Sequence, residues 1–270
     1  MPEGPECRRI AESLAQFTSN KKIVGIEILS GRYSKKIPSG FELIKENLPI
    51  WIAGAGVHGK FVYLILNKEF SIWNTLGMTG AWSTTEHKHN RIKLALDTGE
   101  NLYFRDQRNF GTIKFVRGKH QLIEKLQSLG PDMLNQEVSS DEFISQIRKK
   151  NDKNICKALM DQSVVCGVGN YVKADSLWHA KINPHCFVKD LSNAQLEILN
   201  NSIQHILRTS YKNGIWNILE GSWKKAENTS KFLVYNMKTD PEGNEVIKES
   251  TPDGRSTYWS PKYQNGEQDE

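Results

Sequence analysis

The 270-residue chain has no long apolar run: hydrophobic residues make up 38% and no stretch reaches the roughly 18 residues that a membrane helix needs. Its first residues, Met1-Pro2-Glu3-Gly4-Pro5-Glu6, lack the apolar segment of a secretory signal, so a soluble intracellular protein is expected, with no compartment specified. Cysteine is scarce. The four present, Cys7, Cys156, Cys166 and Cys186, include no C-x-x-C pair, which argues against a structural zinc site and against a disulfide framework. They read as small buried hydrophobes in a reducing compartment. The seven histidines include His87 and His89, but no acidic partner pattern surrounds them, which argues against a metal-dependent phosphoesterase. Charge imbalance is slight. Lys+Arg is 36 against Asp+Glu 31, a net +5 that is compatible with a polyanion partner without pointing to one. No internal repeat or coiled-coil heptad is present.

What is there changes texture along the chain. Pro5 suits the first position of a helix and Glu6 its positive end; Cys7, Ile10, Leu14 and Phe17 then form one apolar stripe. From about residue 21 to 118 short β-rich runs follow: Ile23 to Leu29, Ile50 to Ala53, Phe61 to Leu66, Ile92 to Leu96, Leu102 to Phe104 and Thr112 to Val116. Turn signals at Gly54-Ala55-Gly56, Gly59-Lys60 and Asp97-Thr98-Gly99 punctuate them. Many short punctuated strands predict a two-layer antiparallel β-sandwich with a flanking helix. Helical periods dominate from Leu129 to about Leu219, and short strands with turns at 240–244 and 252–254 follow from Phe232. The expected class is α+β. The expected divisions are 1–128, 129–225 and 226–264, with a polar, disordered tail at 265–270.

The first six residues carry the most chemistry. An initiator Met before a small residue is commonly removed, and removal of Met1 would make Pro2 a terminal secondary amine. An α-amine has a pKa of about 7.7–8.0 against about 10.4 for lysine, so a useful fraction is nucleophilic near neutral pH. Attack on an aldehyde-like carbon would give an iminium directly. Glu3, one residue away, could move protons at a sugar oxygen or leaving group. The same residues also read as a Pro-Gly turn feeding a capped helix.

Further blocks follow in order. They are His58-Gly59-Lys60-Phe61 between two strand-like runs; Leu76-Gly77-Met78-Thr79-Gly80; His89-Asn90-Arg91; and Arg105-Asp106-Gln107-Arg108-Asn109-Phe110-Gly111. Leu159-Met160-Asp161-Gln162 precedes Gly167-Val168-Gly169-Asn170-Tyr171, where glycines between two helical patterns suit an anion at a helix start. The last block runs from Arg255 through Thr257, Ser260 and Tyr263 to Gln264. Taken singly, Lys60 also reads as a solvated hairpin lysine, Met78 and Phe110 as core residues, and Arg108 and Arg255 as surface arginines.

Together, opening with Met-Pro-Glu-Gly-Pro-Glu, the blocks resemble the formamidopyrimidine-DNA glycosylase / endonuclease VIII family across nearly the whole chain. The resemblance implies a catalytic sandwich, a helix–two-turn–helix domain and a C-terminal β-hairpin finger. It implies Pro2, Glu3, Lys60 and Arg255 as catalytic residues. DNA would be gripped by Lys60, His89, Asn170 and Arg255, while Met78, Arg108 and Phe110 fill the gap left by an everted base. Ser260 and Tyr263 stand where the family's finger has zinc-binding cysteines, so the chain resembles the zincless-finger, endonuclease VIII-like branch of vertebrates and large DNA viruses. Packing of Tyr258, Trp259 and Tyr263 with Phe232 and Tyr235 is the expected substitute for the metal. Asp175 replaces the family's usual Glu five residues after the Asn, implying weaker local anchoring but not loss of activity.

The implied activity is a bifunctional DNA glycosylase and AP lyase acting on oxidised bases, pyrimidines favoured, through a Schiff base on Pro2. No cofactor or zinc is expected, the partner is damaged DNA, and the state is a monomer. The alternative is a non-catalytic protein of the same fold that binds damaged DNA.

Overall fold

The computed structural model describes residues 2–226 and 229–265 and divides into two compact units. The first comprises Met1–Ser128 and Gly214–Glu227, the second Leu129–Asn213 and Asn228–Glu270. The tail expected to be disordered lies, from residue 266 on, outside the described residues. Among the described residues, no helix is long and apolar enough to cross a membrane.

In the first unit, α1 (Gly4–Thr18) buries Cys7, Ile10 and Leu14, with Phe17 partly covered, as the stripe predicts. Gly4 takes the first helical position and Pro5 the second, one later than expected. The strands are β1 (Lys22–Ile28), β2 (Ile50–His58), β3 (Phe61–Leu66), β4 (Phe70–Thr75), β5 (Gly80–Ser83), β6 (Asn90–Leu96), β7 (Asn101–Asp106) and β8 (Thr112–Arg117). Two short helices, α2 (Phe41–Glu46) and α3 (Lys119–Gln127), complete this stretch; α2, α3, β4 and β5 lie outside the expected elements.

The strands are antiparallel in the order β5-β7-β6-β1-β2-β3-β4-β8. β1 and β2 pair only at Lys22/Trp51 and Ile23/Ile50, so this short seam joins the two layers of a sandwich. Ile10, Leu14, Ile23, Leu64, Ile72, Trp82 and Phe104 fill the space between.

Gly54-Ala55-Gly56 is not a turn. It lies inside β2, where a bulge shifts the register between Ile52 and Gly54. A Cβ on Gly56 would stand 2.5 Å from the Tyr63 ring, so its missing side chain serves close approach of β3.

The helical reading through Leu219 also needs correction. Residues after 213 leave the helical unit and form β9 (Gly214–Asn217) and β10 (Ser222–Lys225) within the first unit. Ile215, Trp216, Asn217 and Ile218 alternate out and in with the strand period of two. Trp216 and Ile218 enter the sandwich core; Trp216 Nε1 donates to the Trp82 carbonyl (2.8 Å), and Ser13 Oγ donates to the Trp216 carbonyl (2.7 Å).

The second unit holds α4 (Ser140–Arg148), α5 (Ile155–Met160), α6 (Asn170–His179) and α7 (Asn193–Lys212), then β11 (Ile247–Thr251), β12 (Arg255–Trp259) and α8 (Pro261–Gln264). Ser192 and Gln195 cap α7 reciprocally: Ser192 Oγ accepts from Gln195 N (3.2 Å) and Gln195 Oε1 accepts from Ser192 N (2.9 Å). α6 is buried from Tyr171 to Trp178 and is the unit's central helix. Among the described residues, the expected series of strands after Phe232 reduces to the β11–β12 hairpin and one bridge between Thr239 and Glu245. Cys7, Cys156 and Cys166 are buried and Cys186 half-buried, all as free thiols. Burial pushes the Cys156 thiol up to about 11, leaving it a poor nucleophile at neutral pH.

Candidate active site and nucleic-acid interface

Pro2 is half-buried and immediately precedes a fully buried Glu3, which caps α1 in extended backbone conformation. The Glu3 N–H donates to Glu6 Oε2 (2.8 Å), and the Glu3 carbonyl accepts from Cys7 N (2.9 Å). The carboxyl-bearing residue is thus fixed through its backbone by the first helical turn. The expected removal of Met1 falls on a residue outside those described. Lys60 sits at the two-residue turn joining β2 and β3, where Gly59 has φ 57°. Beneath it Phe61 packs on Tyr63 and edge-on to Trp73, anchoring the turn to the sheet. α1 packs on both β2 and β3, so the Pro2–Glu3 helix and the Lys60 hairpin are neighbouring elements of the first unit.

The loops carrying Met78, Arg108 and Phe110 touch each other. Gly77 has φ 61°, and a Cβ there would stand 2.6 Å from Gly111 N, so only glycine permits the approach. Asp106, buried between the loops, ties them: Oδ1 accepts from Thr79 Oγ1 (2.6 Å) and Oδ2 from Gly111 N (2.7 Å). Thr79 Oγ1 in turn accepts from Arg108 N (2.9 Å). Tyr33, its phenol pushed up to about 12 chiefly by burial, donates to the Gly111 carbonyl (3.0 Å). Phe110 projects with 55% of its surface exposed, the Arg108 guanidinium lies 5.0 Å from its ring centre, and Met78 is half-buried. An exposed aromatic and guanidinium on a braced loop suit insertion into a base stack.

In His89-Asn90-Arg91 the roles separate. Arg91 is buried and spends its donors inside the protein, on the Asp106 carbonyl (2.7 Å), Ser30 Oγ (2.8 Å) and the Gln107 carbonyl (3.3 Å). His89 remains half-exposed, and desolvation, with the Arg91 charge next, lowers its pKa below the ordinary histidine value. A neutral imidazole here would contact a phosphate as a hydrogen-bond donor rather than as a cation.

In the second unit, Gln162 holds the loop between α5 and α6: Nε2 donates to the Val168 carbonyl (3.1 Å) and Oε1 accepts from Gly167 N (3.1 Å). Asn170 is the first residue of α6, and its Nδ2 donates to the Ser256 carbonyl (2.9 Å), one residue from the exposed Arg255. Asn170 and Arg255, far apart in sequence, are thereby brought together.

Asp175 is anchored to the segment after α6. Its carboxylate accepts from Leu233 N (3.0 Å), Val234 N (3.0 Å) and Tyr235 N (2.9 Å), a complete clasp on the following segment. Burial raises its pKa against the effect of those bonds.

Ser260 and Tyr263, where the resemblance places zinc ligands, do not fit zinc. The Tyr263 ring stacks on Trp178 (4.6 Å between centroids), and Ser260 is fully buried with its N–H donating to Gln264 Oε1 (2.9 Å). Asp240 accepts from Trp178 Nε1 (3.1 Å) and Asn244 N (2.8 Å), so its lone pairs are engaged. Neither a serine hydroxyl nor a tyrosine ring supplies the thiolate or imidazole that a structural zinc site takes. Among the described residues no group of three or more His, Cys, Asp or Glu could hold a metal ion. The aromatic packing differs from expectation. Tyr258 joins Tyr235 and Phe232, but Tyr263 goes to Trp178, and Trp259 goes to His185 and donates to Glu249.

Three family profiles match in order. The formamidopyrimidine-DNA glycosylase N-terminal domain covers residues 1–113, the H2TH domain 129–218 and the C-terminal domain 223–265. The formamidopyrimidine-DNA glycosylase of Nostoc punctiforme is 32% identical over 228 residues, covering 79% of this chain and 77% of its own. The chain belongs to the formamidopyrimidine-DNA glycosylase family. Another relative, from Bdellovibrio bacteriovorus, is 29% identical over 98% of this chain and 100% of its own. Two solved glycosylase structures superpose over 97% of this chain and 99% of theirs, each at 27% identity. One is the Lactococcus lactis enzyme with abasic-site DNA (TM-score 0.82) and the other is MutM with carbocyclic 8-oxo-G DNA (TM-score 0.84).

Against this formamidopyrimidine-DNA glycosylase framework, several side chains that shape the site carried no signal of their own in the sequence. Asp106 was visible only as part of a loop block. Lys173 and Asp253, a buried pair at 2.6 Å, lie in a helix and a turn whose pairing no spacing reveals. The turn residues Pro252-Asp253-Gly254 could have flagged only that the chain reverses there.

Proposed function

We propose that this chain is a DNA glycosylase of base excision repair with AP-lyase activity, using the Pro2 nitrogen as nucleophile once Met1 is removed. The observation that carries the reading is the Pro2–Glu3 pair: a secondary-amine residue joined to a buried carboxyl residue held at the start of α1. Pro2 N attacks C1′ of the everted nucleotide and forms an N–C bond as the damaged base departs, taking a proton. Glu3 protonates the sugar ring oxygen; the ring opens and the C1′–N bond becomes an iminium. The iminium acidifies the C2′ hydrogens. Loss of one proton breaks the C3′–O bond, and a second elimination releases the 5′ phosphate. Water then frees Pro2 by hydrolysis. Lys60, Asn170, His89 and Arg255 hold phosphates and position the strand without reading its sequence. Met78, Arg108 and Phe110 occupy the vacated stack. No metal or nucleotide cofactor takes part, and the enzyme acts as a monomer.

Oxidised pyrimidines are the favoured substrates, and the branch is the zincless-finger, endonuclease VIII-like one. In support, the segment from Asn213 to Lys231, where the resemblance places a loop over oxidised guanine in the glycosylase branch, carries no recognisable form of that loop in its sequence.

Borohydride reduction during incubation with thymine-glycol or abasic duplexes tests the reading. A covalent protein–DNA adduct at Pro2 is expected, lost in any chain that keeps Met1 or carries an acylated N-terminus. Full incision by a chain with a blocked N-terminus would refute the amine mechanism, and binding without any incision would favour a non-catalytic damage-binding protein.

A further inference from the structure

The side-chain cluster left over once the proposed chemistry is assigned lies inside the second unit, where α6 meets the β11–β12 hairpin. Lys173 is fully buried. Its Nζ lies 2.6 Å from Asp253 Oδ2, and the two side chains are 0% and 3% exposed. A buried ion pair is costly to desolvate and is weak evidence for stability by itself. Its connections are more informative. Asp253 Oδ1 accepts from Thr251 Oγ1 (2.6 Å) and from Arg255 N (3.3 Å). Thr251 Oγ1 also lies 2.6 Å from Thr257 Oγ1 and 3.0 Å from the Arg255 carbonyl. Asp253 therefore shapes the turn from within, and Lys173 holds Asp253 by its other oxygen. Three residues before Lys173, on the same face of α6, Asn170 Nδ2 donates to the Ser256 carbonyl. The helix grips the hairpin on both sides of Arg255, whose own side chain is exposed.

We infer that Lys173 is a positioning residue for DNA: through Asp253 it fixes the turn that presents Arg255 and locks that arginine in register with Asn170 on the same helix. This inference rests on the proposed role of Arg255 as a phosphate contact. It assigns the fixing of the fingertip to a buried ion pair.

Four full-length chains decide it: the wild type, Arg255→Ala, Lys173→Met and the double variant. Each is titrated with a tetrahydrofuran-containing duplex at several potassium chloride concentrations. Arg255→Ala should flatten the slope of log K against log salt by about 0.9, one phosphate's worth. Lys173→Met should flatten it by the same amount, and the double variant should bind no more weakly than Arg255→Ala, because both changes remove one contact. Lys173→Arg should restore the slope. A wild-type slope in Lys173→Met, or losses that multiply in the double variant, would overturn the inference.

Should Lys173→Met fail to fold by circular dichroism, Lys173→Met/Asp253→Leu removes both charges and takes its place. It is expected to fold but to keep the flattened slope, whereas a wild-type slope in it refutes the positioning role. An unchanged slope in Arg255→Ala, with Lys173 untouched, would instead overturn the reading of Arg255 itself, and the inference would fall with it.

Discussion

Replacing Asp106 by Ala should cost the first unit about 3–6 kcal/mol, since two hydrogen bonds to a charged acceptor are worth roughly 1.5–3 kcal/mol each. The bonds are those from Thr79 Oγ1 at 2.6 Å and Gly111 N at 2.7 Å, and the residue is 1% exposed, so water does not replace them. Arg91 Nε donates to the Asp106 backbone carbonyl (2.7 Å), a bond that alanine keeps, so the cost comes from the two side-chain bonds. At a urea m-value of about 2 kcal/mol/M, the transition reported by the buried Trp82 should fall by about 1.5–3 M. Beyond stability, the loops bearing Met78, Arg108 and Phe110 lose their shared anchor. Lesion binding measured at low temperature, where the variant is still folded, should weaken more than the folded fraction explains. Asp106→Asn, which keeps one acceptor oxygen, should lie between. A midpoint shift under 0.5 M urea, or wild-type lesion affinity in the folded variant, would refute the reasoning.

Asp240 gives a pH prediction. Burial alone would raise its carboxyl, but hydrogen bonds from Trp178 and Asn244 outweigh this and hold it below the ordinary value. Its contribution is therefore present above the unfolded pKa of about 3.9 and is lost as pH falls through the lower folded value. Asp240→Asn should flatten the acid limb of stability measured by urea titration between pH 5 and 2, and an unchanged limb would contradict this. Trp216→Ala should destabilise the sandwich by about 3–5 kcal/mol, the usual range for a large buried aromatic. Limited proteolysis should then open sites in the first unit before the second, although residue 216 follows the helical segment. Cleavage confined to the second unit would oppose that assignment.

The sequence made the strong periods and the chemical blocks legible. The α1 stripe, the β3 run and the Gly59-Lys60 turn lie where local pattern puts them, because each is decided within a few residues. Gly54-Ala55-Gly56 misled because two glycines signal a turn and a close approach alike; only the Tyr63 ring across the sheet distinguishes them. Trp216 misled because a helix of twenty residues precedes it and the core it fills was built more than a hundred residues earlier. What Asp175 reaches depends on where residues 233–235 pass, a tertiary fact that its place in the sequence does not carry. Tyr263 and Trp259 were assigned to the correct neighbourhood but not to their partners, since aromatic contacts depend on geometry that no spacing encodes.

The return of residues 214–225 to the sandwich has a consequence for how the protein is made. A nascent chain that has released only its first 128 residues from the ribosome presents a sandwich with an empty slot beside Trp82, and the strand that fills it emerges only after all of α7 has been synthesised. The helical segment can therefore begin to consolidate while its predecessor is still unfinished. Gene fragments cut at the apparent boundary near residue 128 would yield a first half missing part of its own interior.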